Sequence, residues 1–270
     1  MPTEPDTVKY LSTGRALIAS FDEHLGASLR IKTDSEDAYV KAGIVLSLAI
    51  HAHKLGALTL DLLERDTPAA LVVPTLRACF ETALTVHWVA QSKDAALAVY
   101  NKDLKQRRAL QKTLSDARSS TMQDIASRVA HTDLPTLSTS SDNQAKFFEQ
   151  LVADFAAGGP DAYAYYRLLC AYTHPSASLS DQYLEESDQD SGEGTGAPFE
   201  LRPDPRGPFP PTVCAHLVGC CLVWAGSAAR YVQRDNTVRR SELRRVAREL
   251  GTIADIQLAD EAYLRQLWHR

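Results

Sequence analysis

The chain has five cysteines among its 270 residues, an odd number, and none stand at C-x-x-C spacing. A zinc ribbon needs paired thiols and a disulfide framework an even set, so neither is indicated. Cys79, Cys170, Cys214, Cys220 and Cys221 lie mostly in apolar runs, the setting of reduced, buried thiols in a cytoplasmic chain. Positive charge is also short. A net charge of -5 and a pI near 5.9 argue against a general nucleic-acid coat or a basic membrane-surface protein, so any RNA contact must be local. The opening "MPTEPDTVKYL" lacks the basic and then apolar segments of an export signal. There is no Walker loop, no G-x-G-x-x-G after a strand and no G-x-S-x-G elbow, which removes kinase-like, dehydrogenase and hydrolase-fold readings. No helix carries Glu-x-x-His or His-Glu-x-x-His, and His51 and His53, two apart, face opposite sides of a helix. Neither a metal nor any other cofactor is expected.

Strand signals are nearly absent too: no sustained period-2 alternation appears, and no Asn-Gly or Asp-Gly sits between β-branched runs. What is present is helical. With 44% hydrophobic and 23% charged residues the chain can bury a sizeable core, and it reads as a single all-α domain over residues 1–270, a helical bundle. Leu11, Leu17, Ile18, Phe21 and Leu25 recur at helical spacing in a first helix over 6–31. A second runs from the acid-rich "DSEDAYVKAG" to about Glu64. The third, 67–91, has Thr67 as its expected N-cap, Pro68 at its first position and Pro74 as an internal kink.

A polar helical arm over about 93–131 follows, then a short helix over about 143–157 and another that ends near His174. The run "VCAHLVGCCLVWAGSAA", 213–229, is at the short edge of the roughly 17 to 25 residues a bilayer needs, so a buried helix and no membrane span is expected. Residues 176–210 are rich in acid, Gly and Pro and predict a mobile loop. Two further helices are expected over 236–270.

The stretch "DAYAYYRLLCAYTHPSAS", 161–178, carries the sharpest functional signal. Arg167 and His174 stand seven apart, nearly two helical turns, so both fall on one face about 10 Å apart along the axis. Pro175 places His174 at the last turn or just beyond, where the helix dipole favours a cation. A titratable imidazole beside a permanent cation suits metal-free RNA cleavage: the histidine moves the proton and the guanidinium holds charge building on phosphate. The same two residues also fit a surface arginine beside tyrosines and a histidine that caps orphan carbonyls.

Arg77 and Glu81, spaced i,i+4 on the third helix, are either a structural ion pair or the wall of the same cleft. Tyr166 and His87 are counted with them as supporting groups, His87 as a core or rim histidine. The basic run "NKDLKQRRALQK" offers Lys102, Lys105, Arg107 and Arg108 as RNA-binding candidates.

"RLLCAYTH" resembles the Arg, four to six residues, His signature of the HEPN superfamily (higher eukaryotes and prokaryotes nucleotide-binding). More closely, "VVPTLRACFETALTVHWV" followed far downstream by "YYRLLCAYTHPS" resembles a bacterial helical family of unknown function neighbouring HEPN. The likeness covers roughly 40–235, with additional N- and C-terminal helices outside it. It implies an all-α, HEPN-like fold, a homodimer in which two Arg167/His174 pairs meet, and a metal-independent endoribonuclease of toxin or phage-defence type, with an antitoxin or other protein as partner. Leu168 departs from the pattern, because active HEPN members usually carry Asn, Asp or His after the arginine. That departure weighs toward the alternative, a non-catalytic helical module binding nucleotide, RNA or a protein partner.

Overall fold

The computed structural model describes residues 5–26, 31, 36–130, 132–156, 158–186, 199–234 and 237–267. The fold is all-α, as the periodicity predicts. The long apolar helices come first and last: α1 (Pro5–Gly26), α2 (Glu36–Glu64), α3 (Ala69–Gln91) and, after several shorter elements, α10 (Pro211–Tyr231). Between them lie α4 (Ala95–Ser115), α5 (Ser120–Ala126), α6 (Asp142–Lys146), α7 (Phe148–Ala153), α8 (Gly159–Ala171) and α9 (Ala177–Ser180). The helices α11 (Thr237–Glu249) and α12 (Asp260–Leu267) follow α10.

The core is built where α10 meets α1, α2 and α3. Its centre is apolar on nearly all sides: Trp88, Phe80, Leu76 and Leu84 of α3 and Leu222 of α10 are fully buried. Small residues let the helices approach closely. A Cβ at Gly56 would come within 2.8 Å of Leu222 Cδ2, so α2 and α10 touch at a glycine. By length and composition three helices, Ala38–Glu64, Ala69–Gln91 and Pro211–Tyr231, are apolar enough to cross a membrane, where the sequence reading singled out only the last. All five cysteines are free, and Cys79, Cys214, Cys220 and Cys221 are buried. Burial pushes the Cys214 thiol up to about 11 and that of Cys220 to about 12, out of the reactive range.

Several expectations need correcting. Thr67 is not the cap of α3; Pro68 holds that position with extended backbone, and the Thr67 amide donates to Leu62 O at 3.1 Å. Pro74 stands inside the helix, as expected. The final helix begins only at Asp260, because 250–259 is drawn onto the core by tertiary bonds: Leu258 pairs with Phe155, and the Ala259 amide donates to Asp154 O at 2.7 Å.

The expected loop over 176–210 is partly structured. Ser176 caps α9 by accepting from the Leu179 amide, and its hydroxyl donates to Ala171 O at 2.7 Å. Leu184–Glu186 (β1) then pairs antiparallel with Phe199–Leu201 (β2), a ribbon that the missing strand signals did not predict. Glu185 faces Glu200 across it, and Arg206 relieves that repulsion at 2.7 Å from Glu185. Residues 187–198, the middle of the expected loop, lie outside the described residues.

Candidate functional site

Arg77, Glu81 and His87 stand on α3 and the four basic candidates on α4, while helix α8 carries Tyr166 and Arg167 and leads into His174. Gly158, with φ of 79°, turns the chain into it, and Pro160 fits its first turn, where no amide donor is needed. Pro175 follows its end, so His174 stands in the turn three residues past the last helical one. Both Arg167 and His174 are exposed, and among the described residues neither has an ion-pair partner. The Tyr163 hydroxyl, one turn back, holds the Arg167 guanidinium above its ordinary range.

Arg77 meets α8 from the other direction. Its Nη2 donates to the Tyr166 hydroxyl at 3.1 Å, its guanidinium lies over the Tyr166 ring at 5.2 Å, and Glu81 stands 3.5 Å away. Burial disfavours the charge, but Tyr166, Cys170 and Glu81 outweigh it and keep the guanidinium above its usual value. The Tyr166 phenol is raised, chiefly by burial. Phe148 of α7 packs on Tyr166 with ring centres 4.3 Å apart. Arg77, Glu81 and Tyr166 thus brace α3 against α8, and no hydrogen bond or ion pair links Glu81 to His174 or Arg167 among the described residues.

His87 is completely buried and stands behind the cleft wall, not on it. Its Nδ1 faces Trp224 O at 3.2 Å and its Nε2 faces Ile256 O at 3.0 Å. Burial lowers its pKa, so the imidazole is neutral and donates to one of those carbonyls at a time. The basic arm is largely spoken for. Lys105 pairs with Asp142 at 3.2 Å, Arg107 with Asp103 at 2.6 Å, and Arg108 donates to the carbonyls of Thr132 and Leu134. Lys102 and Lys105 share a groove with Lys146, between α4 and α6.

A second cleft, with room for about 460 Å3, opens between α3, α8, α10 and the 251–256 loop. Phe80, Tyr165 and Trp224 supply rings to it, and Asp161, His216 and Thr252 supply polar groups. Phe80 lies 6.0 Å from Trp224 and 6.5 Å from Tyr165, centre to centre. Side chains of α3 and α10 fasten the loop that forms its far wall. His216 bonds Leu250 O at 2.7 Å, Trp224 donates to Ile253 O at 2.9 Å, and Gln91 donates to Ile256 O at 2.7 Å. Tyr165 and Arg167, two residues apart, differ by about 200° around the helix, so the cleft and the Arg167 edge are opposite sides of α8.

None of the cleft's polar residues was singled out from the sequence as a ligand-binding group. The available signal was a stripe: Val213, Leu217, Cys220 and Trp224 recur at helical spacing with His216 among them, and all five line the cleft. Among the described residues no three His, Cys, Asp or Glu side chains are grouped to hold a metal ion.

Residues 43–191, more than half of the chain, match a family of unknown function (DUF5677), and the chain belongs to that family. The match begins where the sequence resemblance does but stops before α10. It assigns no activity and does not extend to the HEPN superfamily. No curated protein and no solved structure matches the chain.

Proposed function

We propose that this protein is a non-catalytic helical module that binds a ligand in the cleft between α3, α8 and α10. One observation carries the reading: the cleft is a preformed concavity with several aromatic walls and a few convergent polar groups, the usual character of a small-molecule site. Its walls come from the core helices, so its shape does not depend on an exposed loop alone. Cys220, the nucleophilic residue type at its edge, is pushed up to about 12 by burial and is inert, which favours binding over covalent chemistry. Ala162 lines the cleft, and Ala162→Trp fills its mouth. A screen of small apolar and aromatic compounds by ligand-observed NMR should yield binders that the parent retains and Ala162→Trp loses. A parent that binds none of them ends this reading.

A second reading, a HEPN-like ribonuclease of the bacterial cytoplasm acting as a homodimer, is favoured by a different observation. Arg167 and His174 both face solvent without an ion-pair partner, which leaves a permanent cation and an imidazole free to meet a phosphodiester. On this reading two copies meet around a two-fold axis and share acid and base roles. Cleavage of single-stranded RNA in EDTA, with DNA left intact, is the expected result. It should be lost about 100-fold or more in His174→Ala. An RNA pool left intact by the parent rejects it. An antitoxin or other protein partner belongs to this second reading alone.

A further inference from the structure

Resting on the binding reading, we propose that the ligand of the α3–α8–α10 cleft is a small hydrophobic amine, taken up as its cation beside Asp161. The argument starts from charge. No lysine or arginine is among the described residues that line the cleft, while Asp161 is. An anion such as a nucleotide phosphate would meet a carboxylate and no counter-charge. A cation would meet its complement.

The hydrogen-bonding groups say the same. The two ring N–H groups of the wall are committed elsewhere: His216 bonds Leu250 O at 2.7 Å, and the Trp224 indole donates to Ile253 O at 2.9 Å, while the Tyr165 and Thr252 hydroxyls can accept as well as donate. Asp161 has no ion pair or side-chain hydrogen bond among the described residues, so its acceptor oxygens remain open. The charged group that the cleft offers a polar ligand is therefore an acceptor, which a protonated amine satisfies with up to three donors. Asp161 and Tyr165 are one turn apart on the same face of α8, about 6 Å along the axis. An ammonium held by the carboxylate sits within reach of an aromatic ring, the arrangement that stabilises cations by their attraction to π-electron density. Phe80, Trp224 and Leu217 then take the apolar body.

Calorimetric titration of the full chain with three matched probes tests the class: 2-(1-naphthyl)ethylamine, its neutral N-acetyl amide and 3-(1-naphthyl)propanoate. The amine should bind most tightly and the propanoate least. Asp161 is exposed, so Asp161→Asn will fold, and it should weaken the amine by about 3- to 5-fold while leaving the amide unchanged. Raising salt should mimic that loss in the parent. Equal affinity of amine and amide, or an amine indifferent to Asp161→Asn, overturns the assignment of a cation. If the amide then still binds and Ala162→Trp abolishes it, the cleft remains a binding site without a charge preference. If all three probes bind more weakly than about 1 mM, or Ala162→Trp changes nothing, the binding reading falls together with this one.

Discussion

The C-terminal segment over 250–267 and the end of α8 both carry conspicuous charged and aromatic-flanked side chains, yet their surroundings are opposite. In the first, Asp255 and Arg265, together with Asp154, to which Arg265 binds, are drawn largely out of water and paired. Asp154 is 4% exposed and accepts from Trp88 Nε1 at 2.8 Å and from both terminal nitrogens of Arg265, at 2.9 and 2.5 Å. Asp255 accepts from Ser227 at 2.5 Å and Arg230 at 2.8 Å; burial works against its charge, but these partners hold its carboxyl below the usual range. At the end of α8, Arg167 and His174 lie in water with no ion pair. Charges that are buried and paired have been used up by architecture, since an unpaired charge inside costs far more than it returns. Exposed, uncommitted groups add little to folding and stay available to something outside.

The sharpest way to break that contrast is at its buried pole. Asp154→Ala strands the half-buried Arg265 and the Trp88 indole together, and should lower stability by about 3–5 kcal/mol. Chemical denaturation reads it directly. The same variant should loosen the C-terminal segment, because Arg265 of α12 loses its carboxylate, leaving the backbone bonds of Ala259 to Asp154 O and of Leu258 to Phe155 among its remaining ties. A loss under about 1 kcal/mol would mean the clasp is ornamental.

Acid should act on the same pole. His53, buried to 1% exposure, stacks on Phe21 with ring centres 3.6 Å apart, and burial, with smaller contributions from Arg239 and Lys54, lowers its pKa from 6.5 to about 3. The unfolded chain therefore takes up a proton below about pH 6.5 that the folded chain refuses until about pH 3. Its contribution is complete above about 6.5 and is lost as pH falls, by about 3 kcal/mol at pH 4. His87, also lowered by burial, and Asp255, held down by its partners, slope the same way. His53→Leu should flatten the stability curve between pH 6.5 and 4, whatever it does to stability at neutral pH. An unchanged slope would show that His53 is protonated in the fold.

Arg77 lies between the two poles and sharpens the line dividing them. Its contacts with Tyr166 and Glu81 are half-buried, and Glu81 is exposed enough to be rehydrated on its own. Arg77→Met should cost about 1–2 kcal/mol, and Arg77→Lys should recover less than half, because a point charge cannot both stack on the ring and donate to the hydroxyl. Variants that melt like the parent would free Arg77 from the brace and return it to the candidates for ligand contact.

The architecture was largely legible because helices are written locally. Periodic Leu, Phe and Ile gave α1, an acid-rich start gave α2, prolines marked α3, an uncharged apolar run gave α10, and Pro175 marked the end of α8 within a few residues. What failed was non-local. The 250–259 segment has helix-compatible residues, and bonds with Asp154, Ser227, Arg230, His216 and Trp224 hold it as a run of turns instead. The ribbon joins residues on either side of an acid- and glycine-rich stretch that carries no alternation. For the site, charges near tyrosines drew attention to Arg167, His174 and Arg77, since charge is conspicuous in a helix of apolar residues. The cleft is assembled from positions near 80, 161, 216 and 252, most of them apolar, and no spacing in the chain announces such a meeting.

The smallest expected effects test the exposed pole. Around "THPSAS" adjacent residues should behave differently even though they share a turn. Ser176 caps α9 and ties back to Ala171 O, so Ser176→Ala should cost about 1 kcal/mol. His174→Ala and Arg167→Ala, which remove no ion pair among the described residues, should each stay within about 0.5 kcal/mol of the parent. Thermal melts of the three variants in one buffer give the comparison. Because both side chains are solvent-facing, any residual electrostatic effect should vanish in high salt, whereas the cap's contribution should survive it. Were His174→Ala to destabilise as much as Ser176→Ala, the imidazole would be a structural part of the turn, and its freedom to serve RNA would be gone. Were it neutral in stability while RNA cleavage disappeared, the exposed pair would be established as a working site at no structural cost.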